Sequence, residues 1–174
     1  MPEVPASQWR LSETGRQRCL LLAKRLAGYR PQAIVASVEP KAVETAQLVA
    51  AQLGIAVEVG AGLHEHDRRE VGWLPAAAFE AAVAALFAHP DVLVMGSETA
   101  TQARERFARA VEAVLQRHTA GNVVIVAHGT VIALFVAAVA GIEPFALWQR
   151  LGLPSFVVLT LPGLELQAVV DSVE

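Results

Sequence analysis

Cysteine is almost absent from this sequence of 174 residues, in which Cys19 is the only one. A single cysteine cannot build an intramolecular disulfide framework, and it cannot build a cysteine-rich metal site. The sequence therefore predicts a protein that works without disulfides in a reducing, cytoplasmic setting.

The sequence also lacks an excess of basic residues and a long apolar run. The 14 Lys and Arg residues are outnumbered by 17 Asp and Glu, which gives a net charge of -3 at pH 7. This balance argues against a nucleic-acid surface and against a polybasic membrane anchor. No run approaches the roughly 18 apolar residues of a membrane span, and the first residues do not resemble an export signal. A small molecule is therefore the expected partner.

Apolar residues make up 54% of the sequence, enough for one well-buried domain over residues 1–174. Helices are predicted from a Ser12 cap to about Ala27, over 40–53, 76–88 and 99–118, and after Thr130 to near Gly141. Strands are predicted over 33–37, 55–59, 122–127, 156–161 and 164–170. Pro162 and Gly163 separate the last two strands, which predicts an antiparallel hairpin at the sheet edge.

This alternation predicts a three-layer α/β/α sandwich with a mostly parallel sheet and helices on both faces. In such folds ligands bind beyond the carboxyl ends of the parallel strands. Ser37 and His128 both stand at predicted strand ends. They are expected to face one crevice, together with residues of the charged loop 63–70.

His128 follows a predicted buried strand and precedes a glycine and a helix start. An imidazole beside the free amides of a helix N-terminus can bind an anion such as phosphate. The alternative is that His128 only caps the helix or satisfies a buried carbonyl group. The local sequence alone favours neither interpretation.

Residues 125–132, Ile-Val-Ala-His-Gly-Thr-Val-Ile, resemble the second histidine motif of the histidine phosphatase superfamily, V-x-H-G-G, whose folds are phosphoglycerate mutase-like. Residues 37–46 resemble its S-S-P-x-x-R-A-x-Q-T-A motif, with Lys41 nearest the arginine. Residues 63–65 are similar to its L-x-E segment, and residues 9–17 are similar to L-T-x-x-G-x-x-Q. The resemblance covers nearly the whole chain, in the expected order.

The resemblance implies a role for each matching residue. His128 and Glu65 would be catalytic, with Glu65 acting as general acid or base. Lys41, His128, Ser37 and Gly129 would bind phosphate, although lysine lacks the bidentate fork of arginine. No metal or other cofactor is required. The competing interpretation of Glu65 is a solvated carboxylate in a loop crowded with charges.

A metal site built from His64, His66 and Asp67 is a second alternative for the charged loop, because imidazole and carboxylate suit Zn or Mn. Ligands so close in sequence usually need more distant partners. The sequence therefore favours a site without a metal.

The resemblance further implies an R-H-G motif on a first strand, shortly before residues 9–17, whose histidine accepts the phosphoryl group. Residues 1–8 contain no histidine. Two expectations follow: the native chain is longer and encodes this strand, or the protein is a degenerate member that binds an anion or a partner without catalysis. The apolar surface left by a missing strand would favour a homodimer.

The function expected from the resemblance is hydrolysis of a small phosphate monoester through a phosphohistidine. A phosphatase is favoured over a mutase because the loop after Glu65 is short and offers no basic cluster for a second phosphate. Inorganic phosphate or a small phosphorylated molecule would be the ligand. The alternative is a catalytically inactive phosphate-binding or scaffold protein of the same family.

Overall fold

Polar caps and prolines set the starts of the helices in the computed structural model, which describes residues 4–173. Ser12 Oγ accepts a hydrogen bond from Gly15 N, and Thr99 and Gln102 form a reciprocal capping box. The helices are α1 (Glu13–Ala27), α2 (Pro40–Leu53), α3 (Ala76–Ala88), α4 (Ala100–Arg117), α5 (Gly129–Ala140) and α6 (Pro144–Arg150). None of the helices between residues 4 and 173 is long and apolar enough to cross a membrane.

The short helix α6 is an element that the sequence analysis did not predict. Its seven residues are too few for a clear apolar period. The Glu143 carboxylate stabilises its start by accepting hydrogen bonds from the backbone N–H groups of Phe145 and Ala146. A carboxylate followed by proline at the first helical position was the available signal.

Three strands form a parallel sheet in the order β2 (Val57–Gly60), β1 (Pro31–Ser37) and β3 (Asn122–Val126). Strands β4 (Phe156–Thr160) and β5 (Glu165–Val170) form the predicted antiparallel hairpin. Within residues 4–173 this hairpin is a separate two-stranded sheet, and β3 and β4 are not hydrogen-bonded to each other. The prediction that the hairpin continues the sheet edge is therefore wrong for the described residues.

Helices cover both faces of the parallel sheet, because the apolar side chains of its strands alternate between two cores. Ile34 and Ala36 point into a core with α1 and α2. Val35 points into the other core, which α3, α4, α5 and α6 build. All three side chains are fully buried. This arrangement confirms the predicted three-layer α/β fold.

Candidate active site

The carboxyl ends of β1 and β3 bring Ser37 and His128 together. The two strands are parallel neighbours, with Ala36 in register with Val126, so the residues that follow meet at one sheet edge. His128 Nε2 lies 2.8 Å from Ser37 Oγ, a hydrogen bond between two buried side chains. Residues 91 positions apart are thus joined at the edge where ligands of such folds bind.

His128 is the N-cap residue of α5 by position, but its side chain makes no capping hydrogen bond. Burial lowers the pKa of His128, and the Lys41 and Arg68 cations add to this effect while the Glu65 and Glu39 carboxylates oppose it. The ring is therefore neutral at pH 7 and accepts or donates a hydrogen bond according to its tautomer. It does not serve as a fixed positive charge.

Lys41 reaches the same place from the first turn of α2, but its charge is already paired. Its Nζ lies 2.7 Å from Glu39 Oε2 and 2.7 Å from the carbonyl oxygen of Ala6. The other Glu39 oxygen, Oε1, accepts a hydrogen bond from Glu65 N at 2.8 Å and lies 3.5 Å from His128 Nε2. Sequence reasoning missed Glu39, because with Lys41 aligned to the arginine of the motif this position is one that the motif leaves unspecified.

Glu65 occupies the N-terminus of α5. Its carboxylate accepts hydrogen bonds from the backbone N–H groups of Thr130 and Val131, each at 3.2 Å, and from His66 N at 2.8 Å. Although burial raises the pKa of Glu65, the Arg68 cation and these N–H donors lower it to about 2. Glu65 is therefore an ionised carboxylate at neutral pH and binds where an anionic ligand would be stabilised.

Arg68 is a second residue of the site that sequence reasoning did not single out. Its Nη2 lies 3.5 Å from Glu65 Oε2, its Nη1 donates to Thr130 Oγ1 at 3.3 Å, and its guanidinium carbon lies 4.8 Å from the ring centroid of Phe79. It was hidden among the charges of loop 63–70, and its partners come from α3 and α5. Only the tertiary structure distinguishes Arg68 from the neighbouring charged residues of this loop.

Arg106 fixes the loop that carries Glu65. Its guanidinium donates to the carbonyl oxygens of Gly62, His64 and Glu65 and pairs with Glu98. A side chain on Gly96, which has φ of +74°, would collide with the carbonyl oxygen of Asp67. The segment before α4 and its Arg106 therefore hold the loop in place, as structural parts of the site.

The alternative metal site finds its ligands engaged elsewhere. His66 Nε2 lies 2.8 Å from the carbonyl oxygen of Glu98, and Asp67 forms a bidentate pair with Arg69 at 2.7 and 2.9 Å. Between residues 4 and 173 no group of three or more His, Cys, Asp or Glu side chains is placed to hold a metal ion.

A cleft of about 2230 Å³ runs from this site between β3 and β4. Its walls include every residue of β3 and every residue of β4, and His128, Lys41 and Glu65 line its end. In that part of the chain which the structure describes, β3 pairs with a neighbour only on its β1 side, and β4 pairs only with β5. Within the described residues, β3 and β4 therefore each have one edge without a paired strand.

The fold and the site can be compared with known proteins. No curated protein matches the chain. Among solved structures, YhfR of Bacillus stearothermophilus is 25% identical, with a TM-score of 0.76 over 98% of this chain and 89% of that chain. A vanadate complex of mycobacterial glucosyl-3-phosphoglycerate phosphatase is 26% identical, with a TM-score of 0.73 over 94% of this chain and 87% of that one.

Phosphoserine phosphatase of Entamoeba histolytica, solved with phosphoserine, shares the fold at 15% identity, with a TM-score of 0.68 over 96% of this chain and 87% of that chain. The sequence model of the histidine phosphatase superfamily, branch 1, matches residues 5–168. That match spans nearly all of the elements described above, including both strand ends and the loop of Glu65. The chain therefore belongs to the histidine phosphatase superfamily.

Proposed function

We propose that this protein hydrolyses a small phosphate monoester, with its phosphoryl group held at the carboxyl ends of β1 and β3. The observation that carries this proposal is the convergence of Ser37, Lys41 and His128 with the N-terminus of α5. The mycobacterial relative has been solved with inorganic phosphate as well as vanadate, which supports an oxyanion as the ligand.

We propose further that the phosphoryl-accepting histidine belongs to an extended strand of a longer form of the chain, seated between β3 and β4. The cleft supports this assignment because it is lined by β3 and β4, each of which has an edge without a paired strand in the described part of the chain. A strand that runs parallel to β3 would end beside His128. An apolar strand there would satisfy the free backbone groups and cover the half-buried side chains of both walls.

The reaction then proceeds in two steps, phosphoryl transfer to the histidine and hydrolysis of the phosphohistidine. A ring nitrogen of the accepting histidine attacks phosphorus, the P–O ester bond breaks, and the leaving oxygen takes a proton. Water next attacks phosphorus, the P–N bond breaks, and the water proton passes to a carboxylate. Lys41, His128 and the first N–H groups of α5 stabilise the charge on the phosphoryl oxygens in both steps.

Glu65 donates the proton to the leaving oxygen and accepts the proton of the attacking water in this proposal. Its position in the ligand-free site limits when it can do so. With a pKa of about 2 it is ionised but only a weak base, so both proton transfers require its pKa to rise. To protonate the leaving oxygen, it must give up the α5 N–H groups to the substrate phosphate. Losing those donors and meeting a phosphate dianion both raise its pKa, so substrate binding itself would prepare the acid.

A phosphate-binding protein without catalysis is the second candidate, and one observation favours it. Glu39 and Glu65 already satisfy Lys41 and the start of α5, so the site is neutralised by its own carboxylates. A ligand would displace them without any reaction. A cytoplasmic location and the absence of a cofactor belong to the proposal in both cases, and a homodimer that covers the cleft belongs to the case in which no strand fills it.

Two measurements on protein purified from its native source test the proposal. Intact mass with N-terminal sequencing is expected to reveal a segment that contains an Arg-His pair before Met1. The same protein is expected to hydrolyse 4-nitrophenyl phosphate and to form an acid-labile phosphohistidine, with turnover reduced at least 100-fold in His128→Ala. Phosphate binding without turnover would replace the enzyme by the non-catalytic candidate.

A further inference from the structure

Two aromatic side chains, Phe79 and Trp148, form an aromatic wall beside the start of α5. Trp148 of α6 is stacked on Phe145, with centroids 5.8 Å apart and planes 12° apart. Phe79 of α3 meets Trp148 at 6.0 Å, and Phe145 packs edge-on against Phe87 at 6.4 Å. The four rings thus pack in one series between α3 and α6. These contacts fix the positions of Phe79 and Trp148 before any ligand binds.

This wall adjoins the phosphate site directly. Nε1 and Cδ1 of Trp148 lie 3.7 and 3.8 Å from the point that a side-chain carbon on Gly129 would occupy, and Gly129 follows His128 in the chain. Arg68, which contacts Glu65 and Thr130, lies over the ring of Phe79. Phe79 and Trp148 are only partly buried, and both line the same cleft as His128 and Lys41.

We propose that Phe79 and Trp148 form the leaving-group subsite, and that the substrate is an aryl phosphate monoester. This inference rests on the proposed function. A phosphoryl group bound at His128 and Lys41 places its ester substituent within reach of the wall. An aromatic substituent can pack against the two rings, and the indole N–H can donate to the ester oxygen.

A polyol or sugar substituent is disfavoured at the same wall for a physical reason. Its hydroxyl groups would leave water for the faces of two aromatic rings, and each hydroxyl without a partner carries a desolvation cost. The wall therefore favours aryl esters in two ways: it contacts an aromatic group, and its ring faces give hydroxyl groups no hydrogen-bond partner.

Calorimetric titration of the protein with inorganic phosphate, methyl phosphate, glycerol 1-phosphate and phenyl phosphate tests the inference without requiring turnover. Phenyl phosphate is expected to bind about three- to tenfold more tightly than methyl phosphate, the range that one aromatic pair supplies. Glycerol 1-phosphate should bind no more tightly than methyl phosphate.

Two variants locate the preference on the wall. Trp148→Ala should remove the advantage of phenyl phosphate while inorganic phosphate binds as before, and Phe79→Leu, a milder change, should halve it or more. Tyr29→Ala is the matched control, because Tyr29 precedes β1 and lies about 20 Å from its carboxyl end, a distance set by seven strand residues.

The outcomes separate this inference from the proposed function. Inorganic phosphate that binds while phenyl and methyl phosphate bind equally overturns the aryl subsite and leaves a phosphatase with another specificity. An advantage of phenyl phosphate that survives in both Trp148→Ala and Phe79→Leu overturns it as well. If no phosphate compound binds, the subsite and the proposed function fail together.

Discussion

Strands β1 and β3 are neighbours with similar apolar sequences, yet they have different surroundings. β1 has a strand on each side, and Ile34, Val35 and Ala36 are fully buried. β3 pairs only with β1 among the described residues, and residues 123–126 are half-buried along the cleft. The contrast shows that an apolar strand sequence indicates a tendency to be buried. The number of neighbouring strands decides how fully its side chains are buried.

Replacing one isoleucine in each strand should give the largest measurable contrast. Ile34→Ala creates a cavity at a fully buried position, and we expect it to lower the free energy of unfolding by about 2–5 kcal/mol. Ile125→Ala, at a half-buried position, should cost less than half as much. Urea unfolding monitored by circular dichroism measures both, and equal losses would show that β3 is buried as completely as β1.

The start of α5, which follows β3, gives the protein a predicted pH dependence through Glu65. Glu65, which bonds to α5 directly after β3, has a folded-state pKa of about 2, below its unfolded value near 4.5. Its ionised form therefore stabilises the fold above pH 4.5, and this contribution, on the order of 3 kcal/mol, is lost as the pH falls from 4.5 towards 2.

Glu65→Gln tests this prediction, because it should flatten the fall in unfolding free energy between pH 6 and pH 3. Glu112→Gln is the matched control, since it removes a carboxylate from the exposed face of α4 and should leave the acid loss in place. An unchanged pH profile in Glu65→Gln would show that Glu65 does not bind the start of α5 in solution.

Hydrogen exchange should resolve the comparison residue by residue. The amides of Ile34, Val35 and Ala36 lie between two paired strands and should exchange only on global unfolding. Alternate amides of β3 face the cleft and should exchange at least about tenfold faster. In a longer form of the chain with a strand in the cleft, the two sets should become equally slow. Fast exchange that persists there would argue against an occupied cleft.

The smallest expected effect concerns the cation of the phosphate site. Lys41→Arg supplies the fork that binds phosphate oxygens in pairs, and we expect phosphate affinity to rise about threefold. Calorimetry with inorganic phosphate measures the change, with Lys24→Arg on α1 as the control. A loss of affinity would show that the contact of Lys41 with Glu39 leaves no room for a guanidinium.

Much of the fold could be predicted because its signals are local. The caps at Ser12 and Thr99, the proline that opens α2, and the apolar run at 122–126 fix helices and strands over short stretches. Helix α6 escaped because seven residues show no period, and Ile55 stands before the observed start of β2 because strand ends depend on pairing.

Site residues that end predicted strands were accessible to sequence reasoning, since parallel strands bring their carboxyl ends to one edge. Ser37 and His128 are of this kind. Glu39 and Arg68 are not, because their importance lies in contacts with His128, Thr130 and Phe79, which are distant in sequence. The expectation that Glu65 acts as general acid or base could not include a contribution of the same long-range kind, namely the N–H groups of α5 that lower its pKa.

The sequence by itself determined the alternation of helices and strands, the family and the residues at the two strand ends, since each depends on neighbours along the chain. Only the tertiary structure decided the protonation state of Glu65, the pairing of Lys41 with Glu39, the aromatic wall and the cleft beside β3. These features depend on burial and on Coulomb forces between groups that folding brings together, and neither is written in any local stretch of sequence.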